Sequence, residues 1–129
     1  MTAADVARRC VELWYAPDRE EELRSLLADG YVHHAPRADL TADQFIGQLR
    51  LINAALTDMD FEIVQTVVEG NMVAVLVRAE GTQVGELFGA PATGRRGSTA
   101  GATFMRIEDG QVAEDWDAWA LHNALRVVA

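Results

Sequence analysis

The hydrophobic period changes once along this chain, and the change bounds the fold. Up to Leu56 the apolar residues recur at helical spacing, and from Phe61 onward they alternate or run together in stretches rich in β-branched residues. Val6, Cys10, Leu13 and Trp14 mark a first amphipathic helix that Pro17 ends. Leu23, Leu26 and Leu27 give the stripe of a second, short helix, with Asp18 and Glu21 as its capping box and Gly30 as its stop. Residues 31–36, YVHHAP, are extended, since Pro36 turns Ala35 away from helix. Thr41 and Gln44 form a second capping box, Leu40 and Phe45 its hydrophobic staple, and Phe45, Leu49, Ile52 and Leu56 the stripe of a third helix.

The second half predicts strands: residues 61–68, a Glu-Gly-Asn turn at 69–71, a near-continuous apolar run from Met72 to Val77, and a further strand over 82–88. Residues 89–97 form a Gly/Pro-rich loop. Two alternating runs within 101–119 flank Asp109-Gly110, residues that tolerate the positive φ of a two-residue hairpin turn, and a short helix over 121–128 ends the chain. Three helices followed by a meander predict one α+β domain over residues 1–129, with the helices packed on one face of a curved antiparallel or mixed β-sheet that encloses a cone-shaped pocket. The run at 72–77 is apolar on both faces and must be covered twice. A second subunit is the economical second cover, which predicts a homodimer.

Charge and cysteine use remove several classes. Eleven basic residues stand against twenty acidic ones, a net charge of -9, so no groove tracks phosphates and nucleic acid is not an expected partner. The single cysteine, Cys10, lies among apolar residues and suits a buried position in a reducing compartment. No apolar run approaches 18 residues and no basic-then-apolar leader opens the chain, so the expectation is a cytoplasmic protein with no membrane partner.

The chemistry concentrates in the last hairpin. Thr103, Met105 and Ile107 share one face of the outgoing strand; Ala113, Asp115, Asp117 and Trp119 share one face of the returning strand. Asp117, between Trp116 and Trp119, is a carboxylate among large rings, and desolvation raises a carboxyl pKa towards values useful for proton exchange. The other reading puts Asp117 on the solvent face of an edge strand or at the cap of the following helix. Asp115 has the parity of Asp117 and is read as solvent-exposed. Trp14, Phe45 and Trp119 suit a pocket wall. His33 and His34 point to opposite sides of one strand and no third ligand has a suitable spacing, so no metal is expected. Arg95, in the 89–97 loop, either clamps an acidic substrate or makes a surface ion pair.

Several fragments, in this order, carry a family resemblance: Tyr31, His34 and Pro36 as YxxHxP, EGN at 69–71, GELFG at 85–89 with PATGR at 91–95, RIEDG at 106–110 and EDWD at 114–117. Over nearly its whole length the chain resembles the SnoaL-like polyketide cyclases of the NTF2-like (cystatin-like) superfamily. The resemblance implies a cofactor-independent cyclase- or isomerase-type enzyme of secondary metabolism, acting on a hydrophobic polyketide-like substrate by acid/base catalysis through Asp117. It implies His34 as the cavity-facing histidine, with Trp14, Tyr31, Phe45, Thr103, Met105 and Trp119 around the substrate. A one-residue slip would turn His33 inward instead, and Tyr31 shares the parity of His33. The resemblance also exposes two departures. Thr103 stands where the aldol-type cyclases carry a histidine, and Ala120 where other relatives carry a second acid. A single proton shuttle is the implied chemistry: ether-type ring closure, double-bond isomerisation or dehydration. The same scaffold also hosts binding modules and cofactor-free hydroxylases or hydrolases.

Overall fold

The computed structural model describes residues 1–119. Helix α1, Ala3–Trp14, starts at a capping box in which the Thr2 hydroxyl accepts from the Asp5 N–H and the Asp5 carboxylate accepts from the Thr2 N–H. Its face of Val6, Cys10, Leu13 and Trp14 is buried, as the spacing predicts. A 3-10 turn over Pro17–Arg19 leads into α2, Glu20–Leu26. The capping box expected from Asp18 and Glu21 does not form: Asp18 lies inside the 3-10 turn, and Glu20, Glu21 and Glu22 instead place negative charge at the positive end of α2. Nor does α2 run to Gly30. Leu27 is already extended and opens strand β1, Leu27–His34, and Gly30 falls where the β1 register is irregular.

Strand β2, Asp39–Thr41, is a short edge, and Thr41 then caps α3, Ala42–Ala55, through the expected box with Gln44. Strand β3, Leu56–Glu69, begins at once after α3, and the turn at Gly70-Asn71 returns it as β4, Met72–Gln83. The strand expected over residues 82–88 ends at Gln83. There the Gln83 side-chain amide donates to the carbonyls of Gly85, Ala90 and Pro91, while the Val84 and Gly85 N–H groups donate to the Ala55 carbonyl, so the segment is held as a loop. Strands β5, Arg96–Glu108, and β6, Gln111–Trp119, form the predicted hairpin, with φ of 50° at Asp109 and 76° at Gly110. The helix expected over 121–128 lies outside the described residues.

The six strands form one mixed sheet in the order β2-β1-β6-β5-β4-β3, with β1 parallel to β6 and every other pair antiparallel. The α+β arrangement is thus as expected, with the described helices on one side of the sheet. Against them lie Val73, Val75, Val77 and Met105, each fully buried. Side chains of that size stabilise by about 1.5–3 kcal/mol each when removed from water. The opposite face of the sheet carries the row Val67, Ala74, Phe104, Trp116 and His34, with Leu76 and Ala102 beside it. Val67, Leu76, Phe104 and Trp116 on this face are exposed. Among the described residues no helix is long and apolar enough to cross a membrane.

Candidate functional site

Register decides what meets on the inner face. The parallel β1–β6 ladder places His33 beside Asp115 and His34 beside Trp116, and the β5–β6 ladder places Thr103 beside Asp117. The β5–β6 register shifts between Arg106 and Ile107, leaving Ala113 as the extra residue on β6. Such a bulge re-aims the side chains beyond it. After it Asp115 and Asp117 point towards the helices while Glu114 and Trp116 point away.

His33 spans the two aspartates. Its Nδ1 lies 2.5 Å from Asp115 Oδ1 and its Nε2 lies 3.1 Å from Asp117 Oδ2. The Tyr31 hydroxyl donates to Asp115 Oδ2 at 2.6 Å, and the Phe45 ring stacks on the imidazole with centroids 4.0 Å apart. His33 is 2% exposed and Asp115 0% exposed. Burial opposes the charged imidazole, but the hydrogen bonds to Asp115 and then to Asp117 outweigh it, and the His33 pKa is raised to about 9. Burial raises the Asp115 carboxyl above the ordinary aspartate value, an effect the His33 and Tyr31 hydrogen bonds temper. Burial and the neighbouring Asp115 push the Tyr31 hydroxyl up, so it remains a donor. At Asp117 the second oxygen, Oδ1, is buried and has no hydrogen-bond partner among the described residues.

Asp117 and His33 form part of the wall of a cavity of about 910 Å³, counted out to its open mouth. The rest of the wall is mainly apolar, with Trp14, Phe45, Leu49, Ile52 and Phe88 prominent. A concave, mainly apolar wall with a few polar groups at one place is the kind of lining that small-molecule sites have.

Of the residues expected around a substrate, Trp14 and Phe45 line this cavity, their rings edge to face at 5.7 Å. Tyr31 lies beneath it as the Asp115 donor, and Thr103 and Met105 are fully buried on the sheet below its floor. Trp119 pairs through its backbone with Gly101, and its side chain lies outside the described residues. The expectation that His34 faces the cavity is corrected. Its ring is on the outer face, stacked on Trp116 at 5.0 Å and 2.8 Å from both Asp39 Oδ1 and Glu114 Oε2. His33 takes the inward place because β1 buries Tyr31 and, two residues on, His33. That signal was present in the shared parity of Tyr31 and His33. Asp115 is likewise buried, not solvent-exposed, because it shares the inward parity of Asp117.

The spacing argument against a third ligand near the histidines is also corrected. Donor atoms of His33, Asp115 and Asp117 all lie within 4.8 Å of one another, since strand pairing joins residues far apart in sequence. Each imidazole nitrogen nevertheless faces a different carboxylate, so a cation bound at either nitrogen would replace one of these hydrogen bonds. As it stands, the cluster is an imidazole with a raised pKa, held from behind by Asp115, which Tyr31 holds in turn, and set against a carboxylate on the wall of an apolar cavity. Such a carboxylate can accept a proton and return it.

The model of the family described as SnoaL-like polyketide cyclase matches residues 4–126. A search of curated proteins found no match. Among solved structures, IdmH from Streptomyces antibioticus, a proposed polyketide cyclase, is 24% identical with a TM-score of 0.85, over 97% of this chain and 96% of its own. TsrD from Streptomyces laurentii is 26% identical with a TM-score of 0.79, over 92% of this chain and 91% of its own. AclR from Streptomyces galilaeus, a proposed hydroxylase, is 23% identical with a TM-score of 0.80, over 96% of this chain and 80% of its own.

Proposed function

We propose, from the premise that the chain belongs to the SnoaL-like polyketide cyclase family, that it is a cyclase- or isomerase-type enzyme of secondary metabolism acting on a hydrophobic polyketide-like substrate. Asp117 is the proton-transferring group. The observation that carries this reading is Asp117 on the wall of an apolar cavity, one carboxylate oxygen held by His33 and the other without a partner among the described residues. The Asp117 side chain keeps 16% of its surface exposed, and a substrate C–H or O–H group brought against that exposed part meets a carboxylate that can accept its proton. The His33 imidazole keeps the carboxylate oriented, and Asp115 and Tyr31 keep His33 oriented in turn.

Thr103, directly across the ladder from Asp117, is a hydroxyl that cannot take up a proton at neutral pH as an imidazole does. The second titrating group is His33. The reaction class that fits is one in which the same carboxylate removes and returns a proton, such as double-bond isomerisation, dehydration or ether-type ring closure. The test is product formation from linear and partly cyclised polyketide intermediates, followed by mass spectrometry. Asp117→Asn is expected to lower turnover by about a hundredfold or more with the fold retained, while His34→Ala is near neutral. A well-folded Asp117→Asn protein with near wild-type turnover would overturn the reading.

The protein is further read as a cytoplasmic homodimer joined through the outer face of the sheet. Supporting this, bulky Val67, Leu76, Phe104 and Trp116 stand there beside the small side chains of Ala74 and Ala102, on a surface that a second copy can match.

A further inference from the structure

A second, smaller cleft abuts the first, and the two share Leu56, Met59, Ala79, Leu87 and Thr99 in their walls. Its far side is polar and carries Thr93, Arg95, Arg96 and Ser98. Met59 stands in the partition. Its sulfur lies so close to Gly81 that any side chain at 81 would meet it, and an unbranched thioether is the kind of side chain that gives way to a ligand.

The charges in this annex do not balance internally. Its one acid, Glu80, is engaged by Arg96 at 3.3 Å and by Arg78 at 3.9 Å. Arg96 also donates to the Asp58 carbonyl. Arg95, in contrast, has no side-chain hydrogen bond or ion pair among the described residues. Yet its backbone is fixed: the Gln83 N–H donates to the Arg95 carbonyl, the Gly94 N–H to the Gln83 carbonyl, and the Arg95 N–H to the Thr93 hydroxyl. In a chain with a net charge of -9, this is an immobilised main-chain position holding an uncompensated guanidinium at the rim of a cavity.

We propose that the annex is a subsite for a carboxylate on the substrate, with Arg95 as the group that selects it while the apolar body lies against Trp14 and Phe45. This rests on the cavity being the substrate site, as argued above. A guanidinium fork matches a carboxylate, and here it offsets locally the repulsion that so acidic a protein exerts on an anion.

The test uses anthraquinone-2-carboxylate and its neutral methyl ester as probes, with binding read from quenching of tryptophan fluorescence at neutral pH. Wild type is expected to bind the carboxylate about tenfold more tightly than the ester. Arg95→Gln should abolish that preference and leave ester affinity unchanged. Equal binding of both probes by the wild type, or an equal loss for both probes in Arg95→Gln, overturns the subsite and leaves the main cavity reading standing. Absence of binding by either probe overturns the cavity reading and the subsite with it.

Discussion

His33 is a buried imidazole whose pKa two carboxylates raise. Its folded-state pKa of about 9 lies above the ordinary imidazole value of 6.5. The stabilisation linked to its proton is therefore fully present below about pH 6.5 and is lost as pH rises through 9. Thermal melts at pH 6 and pH 10 should show a larger fall in Tm for wild type than for His33→Gln, which has no proton to lose. Equal falls would mean that the imidazole is not charged in the folded chain. A second residue-scale expectation concerns Tyr31. Tyr31→Phe removes one hydrogen bond to a buried carboxylate and should destabilise by about 1.5–3 kcal/mol in denaturant titration. That the choice between His33 and His34 stayed open in the sequence has a simple cause. Adjacent strand residues are equivalent until the strand's parity is set, and the partner that fixes it, Asp115, is 82 residues away.

Among the elements, those whose signals are local were legible. The Thr41–Gln44 box, the α1 stripe and the Asp109-Gly110 turn each depend on residues within a few positions and stand where expected. The start of β1 and the end of β4 were not, because tertiary partners decide them: Leu27 leaves α2 to pair with Val112, and residues 84–85 leave the sheet to bond Ala55. The hairpin turn offers a clean test. An added Cβ at Gly110 meets nothing within 4 Å, so the cost of Gly110→Ala is that of the positive φ alone, about 1–2 kcal/mol in chemical denaturation. A loss below a few tenths of a kcal/mol would mean that the turn does not hold this conformation.

For the whole molecule, the proposed dimer makes a mass prediction. Light scattering at micromolar concentration should give twice the 14.1 kDa chain mass, and Phe104→Glu, in the middle of the exposed row, should give monomers with an intact cavity. A monomeric wild type refutes the dimer without touching the proposed chemistry. The run at 72–77 was legible as a strand with an apolar inner face, and Val73, Val75 and Val77 are buried there, whereas the cluster beneath the cavity was not, since its members stand 82 and 84 residues apart in sequence. That separation has a kinetic consequence. Tyr31 and His33 join Asp115 across 84 and 82 residues, through the parallel pairing of β1 with β6. Closing so long a loop carries a large entropic barrier, and contacts of this range slow folding. During synthesis His33 leaves the ribosome long before Asp115 exists, so the cluster of His33, Asp115 and Asp117 can assemble only when β6 arrives to pair with β1.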